Sequence, residues 1–181
     1  MKNQYEIRGT VTAIFLKRKN GDVLETTIDT ADLEKAKEFP NTWFAAFSPL
    51  TQSFYCKGEI YLPGGAVVRV QLHRWITDCP ENIQVDHFNN DTLNNRRKNL
   101  RLTTSAQNNQ NRAGAQRNSK SGIRGVYWDG KREAWRAVIT LNYRHKHIGR
   151  FATIQEAEAA IKKARAKYMP FSKEAEEVIA Q

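Results

Sequence analysis

Apolar and polar residues alternate along 11–16 and again along 23–28, on either side of Asn20-Gly21-Asp22. A period of two flanking such a turn predicts a β-hairpin. A short helix is expected from Thr30, with Asp29 as its cap and Pro40 as its terminator. Residues 43–47, 53–62 and 66–72 predict three more strands, the last two joined through Pro63-Gly64-Gly65. Trp43, Phe44, Phe47, Phe54 and Tyr55 are the expected core of this part. An aromatic platform for nucleic acid is the alternative, disfavoured by the acidic residues around it.

A second patterned stretch follows residues 113–121, which are small, polar and non-periodic, as in a linker. Residues 122–128, 134–141 and 143–151 alternate like three short antiparallel strands, with Asp129-Gly130 and Asn142 near the turns. Thr153 and Glu156 then form a capping-box pattern, and Ala157, Ala160, Ile161, Ala164 and Tyr168 recur at helical spacing. Arg136, Val138 and Thr140 fall on one face of the middle strand; Trp135, Ala137 and Ile139 fall on the other and suit the helix.

Composition is that of a folded protein, 40% apolar and 27% charged, and no stretch approaches the ~18 apolar residues of a membrane span. No secretory pattern opens the chain, so a cytoplasmic location is expected. Cys56 and Cys79 lack CxxC spacing and are expected to be buried thiols, not a disulfide or zinc pair. The net charge of +10 is concentrated: residues 1–92 sum to −2, residues 93–150 to +12, and residues 151–181 to zero. A basic block behind a near-neutral domain points to a polyanion, nucleic acid first. A solvated basic tail is the plainer alternative, opposed by the apolar patterning inside the block.

The basic block opens on the chemically richest segment, residues 85–111, VDHFNNDTLNNRRKNLRLTTSAQNNQN. Hydrolysing a phosphodiester takes a base that deprotonates water and a cation that stabilises the phosphate charge. Histidine suits the first role, and a hard cation prefers oxygen ligands for the second. Asp86, His87 and a downstream asparagine supply these groups. Residues 85–88 predict a strand, 89–91 a turn and 94–99 the start of a helix. Singly, each residue has an ordinary structural reading: a strand pair for Asp86-His87, a helix C-cap for Asn99, a surface amide for Asn108. Asn95 and Asn111 are assigned structural roles, and His73 packing or hydrogen bonding. Arg96, Arg97, Arg101 and Arg112 are expected to bind phosphates.

With its VDH, NN, NL and QNN elements, the stretch from Leu72-His73-Arg74-Trp75 through Asn111 resembles the HNH endonucleases of the phage and intron homing type, which have a ββα-metal fold. The resemblance implies that His87 is the general base and that Asp86 and Asn108 bind one divalent cation, Mg²⁺ or alternatively Mn²⁺. It implies that Asn99 braces the loop carrying the histidine. Gly122-Ile123-Arg124-Gly125-Val126, the strand from Trp135 and Ile148-Gly149-Arg150-Phe151 are similar to the plant apetala/ethylene-response-factor (ERF) domain. That likeness implies a three-stranded sheet in the DNA major groove with a helix behind it. Arg124, Trp128, Arg136, Arg144, Lys146 and His147 are assigned to DNA on this basis, and Trp135 to the core.

The expected fold is therefore α+β: a β-rich region (1–65), a ββα-metal nuclease (66–112), a linker (113–121), an ERF-like domain (122–170) and a tail (171–181). The expected function is a metal-dependent homing-type endonuclease that nicks double-stranded DNA as a monomer, without a small-molecule cofactor. A DNA-binding regulator with a silent nuclease fold and an RNA-binding accessory protein are the rivals.

Overall fold

Strand β1 (Tyr5–Arg8), β2 (Val11–Lys17) and β3 (Val23–Asp29) form an antiparallel meander in that order. The alternation of β2 and β3 buries Ile14, Leu16 and Ile28 completely. These positions come from a computed structural model that describes residues 1–112, 114–115 and 118–175. By contact density the chain divides into two compact units, Met1–Thr104 and the remainder from Ser105. The mixture of helix with several small antiparallel sheets is α+β.

After β3 the chain makes a 3-10 turn (Thr30–Asp32) and the five-residue helix α1 (Leu33–Lys37). Asp29 precedes the turn, but its side chain makes no cap bond there; its carboxylate is taken up by the arginines described below. A second meander follows: β4 (Phe44–Ser48), β5 (Ser53–Tyr61) and β6 (Val67–Gln71). Helix α2 (Leu72–Thr77) runs on from β6 and stops at Asp78, whose backbone is left-handed at φ 47°.

The first core gathers Ile14, Leu16, Ile28, Leu33, Ala36, Phe39, Trp43, Cys56, Leu72 and Ile76. Phe39 and Trp43 stack at 4.0 Å, and Gly58 on β5 makes room for them: a Cβ there would meet Phe39 Cζ at 2.3 Å. Of the five aromatics expected inside, Trp43 is fully buried. Phe44, Phe54 and Tyr55 are half-buried and Phe47 is 50% exposed. Phe47 and Phe54 are opposed across β4 and β5 and pack on each other, with Arg18 over the Phe54 ring. Lateral contact on an open sheet face thus replaces burial. Cys56 is buried and Cys79 half-buried, and both are free thiols.

Strand β7 (Gln84–His87) pairs antiparallel with β8 (Leu100–Thr103). Between them stands a 3-10 turn (Arg97–Asn99) in place of the helix expected from Asn94. Asparagine side chains compete there with helical bonding. Asn94 Oδ1 accepts from the Arg96 N–H, and Asn99 Nδ2 donates to the Asn94 carbonyl at 2.7 Å.

In the second unit, helix α3 (Ser105–Asn108) is a single turn followed by a 3-10 turn, Asn109–Asn111. Strands β9 (Val126–Asp129), β10 (Ala134–Leu141) and β11 (Arg144–Phe151) form a sheet in the order β11-β10-β9. Helix α4 (Ile154–Tyr168) begins with a reciprocal Thr153–Glu156 capping box. Val126, Ala137, Ile139, Ala157, Ile161, Ala164 and Met169 form this unit's core, with Trp135 partly buried against it. Tyr143, expected in the strand, instead shares the hairpin turn with Asn142, at φ 63° and 48°. Among the described residues no helix is long and apolar enough to cross a membrane.

Candidate active site

Asp86 and His87 sit side by side on β7 and are both nearly inaccessible, at 7% and 5% exposure. Successive strand residues point to opposite faces, so one hairpin presents the carboxylate and the imidazole in different directions. Arg101 stands opposite Asp86 on β8, and its Nη2 donates to Asp86 Oδ2 at 2.6 Å. A carboxylate has about four lone-pair sites on two oxygens, so this bond does not exhaust the acceptor capacity of Asp86.

His87 Nε2 lies 3.1 Å from Asn95 Oδ1, and the ring is met edge-on by His73 at 4.9 Å and by Tyr55 at 6.2 Å. Burial pushes the His87 pKa below the ordinary histidine value, against the opposing pull of the Asn95 bond and the charges of Asp86 and Asp91. The imidazole is therefore neutral at pH 7, the state a general base requires. Burial also drives His73 down to about 3, aided by the charges of His87, Arg74 and Lys57. Its Nδ1 has no hydrogen-bond partner among the described residues.

Asn99 holds the loop that follows His87. Its Oδ1 accepts from the Asn89 N–H at 3.0 Å, its Nδ2 donates to Asn94, and its carbonyl accepts from the Phe88 N–H at 2.8 Å. Within the same loop, Asn89 Oδ1 accepts from Asp91 N–H and Asp91 Oδ1 from Leu93 N–H. The asparagine-rich composition thus supplies side chains that bond nearby backbone and shape turns.

Arg96 and Arg97, expected at phosphates, are matched by carboxylates of the N-terminal part. Arg96 Nε donates to Asp29 at 2.9 Å, while the Arg97 guanidinium donates to both oxygens of Asp32. Asp29 also accepts from the Arg97 N–H. Burial works to raise the Asp29 pKa, but these bonds outweigh it and hold the carboxyl below its usual value. The plain signal for this pairing was the acidic excess of residues 1–92, which composition alone could not match to individual arginines.

Asn95, expected to be structural, carries a bond to the histidine that the sequence did not reveal. It is fully buried, bonded to His87 on one side and to Thr26 on the other. Nothing in the sequence distinguishes it from Asn89, Asn90 or Asn94, because its role arises only when β3 reaches the loop.

Could this set of donors hold a cation? Among the described residues no group of three or more His, Cys, Asp and Glu is placed to bind a metal. A closed site made wholly of such side chains does not form among the described residues. A carboxylate is an oxygen donor of the kind that suits a hard cation keeping several waters. On this chemistry Asp86 fits Mg²⁺ or Mn²⁺. Asn108, the other expected ligand, ends α3 of the second unit.

The remaining predicted residues belong to that unit. The half-buried Arg124 guanidinium donates to the carbonyls of Asn109, Gln110 and Arg112 at 2.8–3.1 Å and so ties down the chain there. Arg112 itself is exposed. The β10–β11 register divides the others between two faces. Arg136 opposes Arg150, and Val138 opposes His147 across an irregularity at Ala137/Val138. Lys146 opposes the buried Ile139 and Arg144 opposes Leu141, and Lys146 Nζ lies over the Tyr168 ring of α4 at 4.5 Å. Trp128 opposes Trp135 and meets it edge-on at 5.2 Å. Arg136 and His147 therefore share the free face with Tyr127, His145 and Arg150. Arg144, Lys146 and Trp128 take the register of the helix-packed side. Alternation separates Lys146 from His147, and the strand irregularity beyond His147, invisible in the residue pattern, brings Arg150 opposite Arg136.

No curated protein and no solved structure matches the chain. Residues 70–110, from the end of β6 through α2, the β7–β8 hairpin and α3, match the family model described as HNH endonuclease, and this match supports an HNH nuclease.

Proposed function

We propose that the protein is a metal-dependent endonuclease of the homing type that hydrolyses phosphodiester bonds in double-stranded DNA. The observation that carries this reading is His87: neutral, oriented by a buried asparagine, adjacent to Asp86, and inside the stretch matched by the HNH endonuclease model. His87 takes a proton from water as the water oxygen attacks phosphorus. The P–O bond to the 3′ oxygen breaks and solvent protonates that oxygen, leaving 5′-phosphate and 3′-hydroxyl ends. Asp86 is the ligand this unit offers to a hard divalent cation, and the sequence resemblance assigns Asn108 as the second. When bound, the cation stabilises negative charge on the phosphate and the departing oxygen.

Asn99 is a positioning residue that holds the loop behind the base. One such site cuts one strand per engagement, so a monomer nicks. The free face of the second unit, with Arg136, His145, His147 and Arg150 around Tyr127, supplies cationic and aromatic groups for the DNA.

Supercoiled plasmid incubated with the protein, with and without Mg²⁺ or Mn²⁺, tests the proposal. Metal-dependent conversion to the relaxed circle, abolished in His87→Ala, is the expected result. No conversion, or cutting by His87→Ala at the wild-type rate, would sink it and leave a DNA-binding protein with a silent nuclease fold.

A further inference from the structure

Behind His87 the hydrogen bonds lead out of the matched stretch and into the N-terminal sheet. The Thr26 hydroxyl, on β3, donates to the Leu93 carbonyl at 2.7 Å. The same oxygen accepts from Asn95 Nδ2 at 2.7 Å, and Nδ2 also leans on Leu93 O at 3.4 Å. Thr26 and Asn95 are both fully buried. The backbone fixes this arrangement from outside: Thr27 N–H donates to Leu93 O at 2.9 Å and Asn95 N–H to Thr27 O at 2.7 Å.

With its NH₂ end committed to Thr26, Asn95 turns its oxygen toward His87 Nε2. A flipped amide would set its oxygen against the Leu93 carbonyl, two acceptors facing each other in a buried site. An amide oxygen accepts only, so Nε2 carries the hydrogen, and a neutral imidazole then has its lone pair on Nδ1.

We propose that Asn95, anchored by Thr26, is a positioning residue that fixes His87 as the Nε2–H tautomer and so makes Nδ1 the atom that accepts the proton from water. The catalytic consequence rests on the endonuclease reading; the tautomer does not.

The experiment uses the full-length, ¹⁵N-labelled protein without metal. Two-bond ¹H–¹⁵N correlations of the imidazoles, with His87 assigned by comparison with His87→Gln, report which nitrogen is protonated. Wild type should show Nε2–H alone. Thr26→Val, which keeps the shape and loses the hydroxyl, should show mixed tautomers and nick plasmid about tenfold more slowly at unchanged KM. Thr26→Ser should restore both. An Nδ1–H tautomer in wild type overturns the proposal, whether or not Thr26→Val folds. So does a Thr26→Val protein with an unchanged spectrum and rate. If wild type shows Nε2–H and cuts no DNA, the endonuclease reading fails while the positioning assignment stands.

Discussion

Arg101 reaches across the β7–β8 ladder to Asp86, its Nη2 donating to Oδ2 at 2.6 Å. Both side chains are largely buried, at 18% and 9% exposure, so each compensates part of the other's charge. A divalent cation at Asp86 would take over part of that compensation. Arg101→Met should therefore lower stability by about 2–3 kcal/mol, less than the ~3–5 kcal/mol of a fully buried pair. Mn²⁺ should raise the melting temperature of the variant more than that of wild type. Thermal unfolding with and without Mn²⁺ measures both effects, and no cation-dependent shift in either protein would remove Asp86 as a ligand.

His73 gives the fold a pH dependence. Burial pushes its pKa in the folded protein down to about 3, from the 6.5 of an ordinary histidine. Between those values the unfolded chain binds a proton that the native histidine refuses, so stability falls as pH drops below 6.5 and is unaffected above it. The slope is at most ~1.4 kcal/mol per pH unit. Urea unfolding at pH 7 and pH 5 should show His73→Gln losing about 2 kcal/mol less than wild type over that interval. Equal losses would mean that His73 is not held neutral.

Gly58 is predicted to resist even a methyl group. A Cβ at this position would lie 2.3 Å from Phe39 Cζ and 3.1 Å from Trp43 Cε3, both in fully buried rings. Gly58→Ala should cost ~1–3 kcal/mol through overpacking, and adding Phe39→Leu should recover part of the loss. Denaturant midpoints of the single and double variants check this, and an unchanged midpoint for the alanine would contradict the packing.

Tyr143 is 97% exposed and held at φ 63° beside Asn142 at 48°. Both central residues of this two-residue turn are left-handed, where glycine follows asparagine most comfortably. Tyr143→Gly should raise stability by roughly 1 kcal/mol, since the relieved backbone strain outweighs glycine's greater freedom in the unfolded chain. A lower melting temperature would argue against the left-handed tip.

The division of the second sheet into two faces has its own test. Arg136 lies on the free face, whereas Lys146 rests over Tyr168. Arg136→Ala should reduce the slope of log affinity for duplex DNA against log salt by about 1, and Lys146→Ala should leave it nearly unchanged. Equal effects would show that the register does not define the DNA-facing surface.

What could be seen in the sequence was what local pattern controls. Alternation in residues 11–16 and 134–141, the Thr153–Glu156 box and the Asp86-His87 pair all lie within a few neighbouring residues. What could not be seen depends on partners far along the chain. Arg96 and Arg97 read as free cationic groups because Asp29 and Asp32 are more than sixty residues away. Asn95 reads as structural in the sequence, and its direction toward the histidine depends on Thr26. Strand alternation alone separates His147 from Lys146, whereas the irregularity that brings Arg150 opposite Arg136 leaves no mark in the residue types.

The contact between β3 and residues 93–95 bears on how portable the proposed site is. A piece excised at 66–112 would carry every residue of the recognisable motif and leave behind Thr26, Asp29 and Asp32. Transplanted to another scaffold, it would arrive with its histidine unoriented and two arginines missing their carboxylates. The smallest transferable unit is set by what steadies the histidine, and it begins well upstream of the residues that match the family model.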